Sequence, residues 1–99
     1  MNNVKNFILS IPNLSFAYLF GSRASNTHRE ESDFDICIVI NNDDKNETRK
    51  LIVDFLINNK EFIQPLILTE QEFNDKMKID IYRNEIIKNG IKIEKNNIS

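Results

Sequence analysis

Asp33 and Asp35 stand two apart at the head of an apolar run, Phe34 to Ile40. Such a run, apolar on both faces, reads as a strand in the middle of a sheet. Residues two apart on a strand point to the same side, so the two carboxylates can aim together at one cation. One loop earlier, Gly21-Ser22 ends another short apolar run, Phe16 to Phe20. A glycine there lets the backbone approach a ligand closely. The turn offers N–H groups and the Ser22 hydroxyl to phosphate if a helix starts there. Arg23 follows directly and is placed to reach a β- or γ-phosphate. Paired hard oxygen ligands suit Mg²⁺. A divalent metal beside a phosphate-binding turn points to chemistry on a nucleoside triphosphate.

The remaining pattern supplies the frame for that pair. Val4, Phe7, Ile8 and Ile11 follow helical spacing, which predicts an amphipathic helix over residues 2 to 11, broken by Pro12-Asn13. Residues 22 to 32 are polar and form a loop, with a helical turn beginning at Ser22. Asn41-Asn42-Asp43-Asp44 is a turn and helix cap. Lys45 to Asn59 puts Leu51, Ile52, Phe55 and Leu56 on one helical face. Glu61 to Leu68 is a third strand, which Pro65 assigns to an edge or a bulge. Thr69 and Glu72 have capping-box spacing and open a helix through Phe73 and Met77. Ile79, Tyr82 and Ile86 continue its face as far as Gly90, and Ile91-Lys92-Ile93 is a last short strand. The result is an α/β (α+β) fold, a small mixed β-sheet packed against helices.

Composition narrows the class. The 99 residues are enough for one compact domain, and 40% hydrophobic with 28% charged residues reads as globular and soluble. No apolar run approaches the roughly 20 residues of a membrane span, and no secretory signal is visible, so a cytoplasmic location is expected. A net charge of -2 lacks the basic footprint of a dedicated nucleic-acid binder. The single cysteine, Cys37, excludes an internal disulfide framework and a cysteine-based zinc site, and inside an apolar strand it reads as a buried, inert thiol. Ser25 and Ser32 read as turn or cap residues, His28 as exposed, and Tyr82 as half-buried. The pattern leaves oligomeric state open.

The segments Phe20-Gly21-Ser22-Arg23-Ala24-Ser25 and Ser32-Asp33-Phe34-Asp35-Ile36 together resemble the signature of the DNA polymerase beta-like nucleotidyltransferase superfamily. The chain is most similar to its minimal members, the small prokaryotic nucleotidyltransferases. The likeness continues through Ile63 to Phe73 and Asn89 to Ile93 and covers most of the chain. It implies one minimal domain, residues 1–99, with the polymerase beta-like fold. It also implies transfer of a nucleoside monophosphate, AMP from ATP, to a hydroxyl, with release of pyrophosphate. Asp33 and Asp35 would be the catalytic metal ligands, and Gly21, Ser22 and Arg23 the nucleotide-binding group. Several minimal members are antitoxins that modify a partner HEPN-domain toxin, and a chain with no room for its own acceptor-recognition domain fits a protein acceptor supplied by another chain. Transfer to RNA or to a small molecule is the weaker reading on the same ground.

The chain departs from the family pattern at one position. The family commonly places a third carboxylate on the neighbouring strand, where this chain has Gln64. Glu61 could substitute only through a register shift, and Asp54 falls on the solvent side of the intervening helix. The departure motivates an alternative: a catalytically weak or inactive nucleotide- or toxin-binding module that neutralises its partner by forming a complex.

Overall fold

The computed structural model describes residues 2–21, 34–59 and 62–95. In chain order they form α1 (Asn2–Leu9), β1 (Leu14–Phe20), β2 (Phe34–Ile40), α2 (Lys45–Asn59), β3 (Ile63–Thr69), α3 (Glu70–Lys76) and α4 (Asp80–Arg83). Helix α4 runs directly into a π-helical segment, Asn84–Lys88, and the short strand β4 (Ile91–Ile93) follows. The sheet order is β3-β2-β1-β4. β1 is antiparallel to both of its neighbours, whereas β2 and β3 are parallel and joined by the α2 crossover. The apolar run Phe34 to Ile40 is thus an inner strand, and Pro65 sits on an edge strand, where its missing N–H costs least.

Alternation along the strands builds two apolar layers. Phe34, Ile36, Ile38 and Ile40 of β2 face one side and pack with Val4 and Ile8 of α1 and Ile52 and Phe55 of α2. The Phe7 and Phe55 rings stack there with centroids 4.3 Å apart. Cys37 and Val39 face the other side and pack with Phe73 and Met77 of α3 and Ile86 of the π-helical segment. The Cys37 thiol is buried, and burial pushes its pKa from 9.0 up to about 12. The unfolded thiol ionises first, so this group's share of stability is complete below pH 9 and is lost as pH rises from there toward 12.

Polar contacts close the sheet at the end where β2 and β3 finish. Asn13 donates to Asn42 Oδ1 at 2.9 Å, and its own Oδ1 accepts from the buried Thr48 hydroxyl at 3.3 Å. The Asp44 carboxylate accepts the Glu47 N–H at 3.1 Å and caps α2. The capping box is formed in full. Thr69 Oγ1 accepts the Glu72 N–H at 3.2 Å, and Glu72 Oε1 accepts the Thr69 N–H at 2.9 Å. Lys45 Nζ lies 2.7 Å from the same Glu72 oxygen and links the starts of α2 and α3. These bonds, that from Lys45 foremost and then that from the Thr69 backbone, hold the Glu72 carboxyl below its usual range. Its contribution is therefore present at neutral pH and fades as pH falls through that lowered value.

The expected continuous helical face from Met77 to Gly90 is interrupted. α3 stops at Lys76, Ile79 adopts an extended conformation (φ -91, ψ 119), and α4 starts afresh. Ile79 and Tyr82 consequently lie on the surface, and only Ile86 of that trio is buried. Tyr82, expected half-buried, is 39% exposed, with Lys76 Nζ 4.0 Å over its ring. The wider π turn, with Asn89 N–H bonded to Asn84 O, delivers Ile86 to the second layer and brings the chain to Gly90 in time to pair β4 with β1. The first helix is also shorter than expected, ending at Leu9, and the third strand runs Ile63–Thr69.

Gly90 has no room for a side chain. A Cβ there would collide with the Ile86 carbonyl oxygen and lie 2.9 Å from that of Leu19, both backbone atoms. Gly90→Ala is expected to lower stability by about 1–3 kcal/mol, read as a lower urea midpoint with an unchanged slope; a wild-type midpoint would contradict this packing. Cys37 is expected to stay unreactive toward a thiol reagent at pH 8 until denaturant is added, and prompt labelling of the native chain would contradict its burial.

Candidate functional site

The antiparallel β1 ends where the parallel pair β2 and β3 begins, and the candidate residues gather at that edge. Phe20 is in register with Asp35, and Asp35 with Gln64. Residues directly opposite on paired strands share a face, so Phe20, Asp35 and Gln64 form one row across three strands. This row lies on the α3 side of the sheet, in line with Tyr18–Cys37–Leu66 and Phe16–Val39–Leu68 behind it. The direction of Asp35 is set by its neighbours. Phe34 and Ile36 are 3% and 0% exposed in the opposite layer, and the Phe34 N–H donates to Phe62 O at 2.9 Å. Turning Asp35 inward would pull both apolar side chains out of the core.

Gly21 follows β1 immediately, with φ +76. That left-handed conformation is strained for any residue with a side chain. Space also demands glycine: a Cβ at this position would collide with Asp35 Oδ2 and lie 3.3 Å from its Cγ. The turn backbone therefore packs directly against the Asp35 carboxylate. Of the sequence-derived site, Gly21 and Asp35 are brought together. Asp33, Ser22 and Arg23 lie outside the described residues, as do Ser25, His28, Ser32, Glu61 and the loop's expected helical turn. Asp54 is exposed on α2, as expected.

The donors present fit a hard cation. Asp35 supplies carboxylate oxygens and Gln64 an amide oxygen in the same row. Cys37, two residues on from Asp35 and on the same side of the sheet, is buried, and burial pushes its pKa up to about 12, so it offers no thiolate. Among the described residues no cluster of three or more His, Cys, Asp or Glu side chains gathers to hold a metal. Asp33, the second carboxylate of the expected pair, lies outside them. Sequence reading found Asp35 and Gly21 from their spacing. It did not find Phe20 as the third member of the row, because cross-strand register leaves no local signal.

The family model described as Polymerase beta, Nucleotidyltransferase matches residues 2–98. This chain belongs to that family. The nucleotidyltransferase class and the α+β fold expected from the two motifs are therefore those of the polymerase beta group. Solved structures share the fold. A candidate nucleotidyltransferase from Sulfolobus solfataricus aligns over 92% of this chain and 72% of its own, at 22% identity and a TM-score of 0.53. A mutant of the toxin–antitoxin MntA–HpeT aligns over 97% of this chain and 73% of its own, at 15% identity and a TM-score of 0.64. No curated protein matches the chain.

Gly21→Ala is expected to cost about 1–2 kcal/mol for the left-handed backbone and to displace the Asp35 side chain. Urea denaturation and the NMR shifts of the Asp35 amide and side chain check this. An unchanged midpoint together with unchanged shifts would contradict the direct packing.

Proposed function

We propose that this polymerase beta-type nucleotidyltransferase transfers AMP from ATP to a hydroxyl of a partner protein, with Mg²⁺ as its cation and within one domain spanning residues 1–99. The observation that carries the reading is the packing of Gly21 against the Asp35 carboxylate, which joins a phosphate-approaching turn to a cation ligand. Asp33 and Asp35 hold the cation. Gly21 gives the triphosphate close access to backbone N–H groups, Ser22 adds a hydroxyl, and Arg23 binds the β- or γ-phosphate. Bound Mg²⁺ would neutralise charge on the reacting phosphates and orient the α-phosphorus. These residues position the triphosphate so that the acceptor oxygen and the pyrophosphate leaving group stand in line.

The fold likeness to the toxin–antitoxin MntA–HpeT supports a toxin–antitoxin role, in which we take this chain as the antitoxin and the toxin as acceptor. We read that toxin as a HEPN-domain protein, on the resemblance drawn from the motifs, and the setting as cytoplasmic. No described helix is long and apolar enough to cross a membrane. A second reading is favoured by Gln64, which stands in register with Asp35 where the family pattern has a carboxylate: the domain neutralises its partner by binding alone.

Incubation with α-labelled ATP, Mg²⁺ and the product of the neighbouring gene separates the two. The first reading expects label on the partner, abolished by Asp33→Asn with Asp35→Asn. Absent label, or equal label with the double variant, would refute it. Neutralisation that survives the double substitution would favour the binding module.

A further inference from the structure

The sheet has two outer strands, and their sequences treat an incoming strand differently. Along β3, Pro65 breaks the row of backbone donors, a device that blunts an edge. β4 carries no proline, and among the described residues only β1 is paired with it. Ile91, Lys92, Glu94 and Lys95 are exposed along it, Ile91 to 47%. A lone lysine would guard an edge by repelling a copy of itself. Lys92 is instead offset by Glu94, with Nζ and Oε2 3.4 Å apart. Alternation puts these two charges on the α3 side, where Lys92 Nζ lies 5.2 Å from the centre of the Phe16 ring. Ile91 and Ile93 take the other side, with Ile93 packed in the layer of Val4 and Ile8.

We propose that β4 is a dimerisation edge that pairs antiparallel with β4 of a second copy, joining two four-stranded sheets into one. The charge pattern selects both the occupant and the register. When identical antiparallel strands pair about a two-fold axis, one residue lies on the axis opposite its own copy, and every other contact occurs twice. Residues opposite one another share a face. With Ile93 on the axis, Lys92 stands opposite the partner's Glu94 and Glu94 opposite the partner's Lys92. On the other face Ile93 meets its own copy and extends the apolar layer. Ile91 there lies opposite the partner's Lys95, whose aliphatic stem covers it. Moving the axis to Lys92 or to Glu94 sets like charges opposite each other, which destabilises the pair. Moving it to Ile91 sets Lys92 opposite Gly90 and forms no charge pair. The paired segment is short, so the dimer forms at high protein concentration and exchanges with monomer. β1 stands between this edge and Asp35, so the pairing is independent of the transferase reading.

Sedimentation velocity of the whole chain over a concentration series tests this. The mass is expected to rise from that of one chain, 11.6 kDa, at about 1 μM toward that of two chains at about 500 μM. Lys92→Glu and Glu94→Lys are each expected to weaken dimerisation roughly tenfold or more, because each sets like charges opposite one another across the axis. An equimolar mixture of the two variants is expected to recover wild-type dimerisation, since every charge then faces its opposite. Both variants lose the internal Lys92–Glu94 pair, so recovery in the mixture cannot come from a repaired fold. A wild-type chain that stays monomeric throughout the series would overturn the proposal and leave the edge to a strand of a different protein. Dimerisation that neither substitution weakens would place the interface elsewhere and overturn it. A mixture that stays as monomeric as its two components would overturn it as well.

Discussion

The register of β2 between its two neighbours is the constraint on which the rest depends. Four buried side chains on one face of β2, Phe34, Ile36, Ile38 and Ile40, leave that strand no freedom to slip or flip. Once they are seated, Asp35 must emerge on the opposite face beside Phe20 and Gln64. The left-handed Gly21 then closes against its carboxylate. The site is a by-product of core packing, in the sense that the hydrophobic layer determines where the charged group points.

The two ends of the sheet do different work. At the end where β2 and β3 finish, Asn13, Asn42 and Thr48 satisfy one another, and the Lys45–Glu72 pair links two capped helix starts. That end is crosslinked by side chains. At the other end β1 stops, β2 and β3 start, and Phe20, Asp35 and Gln64 share one row. This follows from topology: the α2 crossover between parallel strands puts both strand starts at one edge, and antiparallel β1 brings its C-terminal turn to the same edge.

Much of this was legible in the chain, and where it was not the reason is physical. β2 and α2 have the bounds their patterns predict, because an unbroken apolar run and a capped amphipathic stretch are local signals. Thr69 and Glu72 form their box for the same reason, and Pro65 marks an edge because proline cannot serve a central ladder. The break at Ile79 and the π-helical turn were not legible. Helical periodicity continues across them and carries no signal of either. The closeness of Gly21 and Asp35 was legible as a convergence of motifs, but the demand for glycine from both φ and space was not. The meeting of Asp35 and Gln64 was expected from the family resemblance and from no local pattern, because it depends on a pairing between strands separated by a helix.

The proposal to be tested is that the Asp35 carboxylate, against the Gly21 turn, holds a divalent cation with Asp33 as the second ligand. A crystal structure grown with Mn²⁺ and a non-hydrolysable ATP analogue, with the manganese located by anomalous scattering, tests it most directly. The account predicts a manganese peak bonded to carboxylate oxygens of both Asp33 and Asp35, with the triphosphate lying along the Gly21-Ser22 turn. A peak elsewhere, or a triphosphate bound away from that turn, would contradict it.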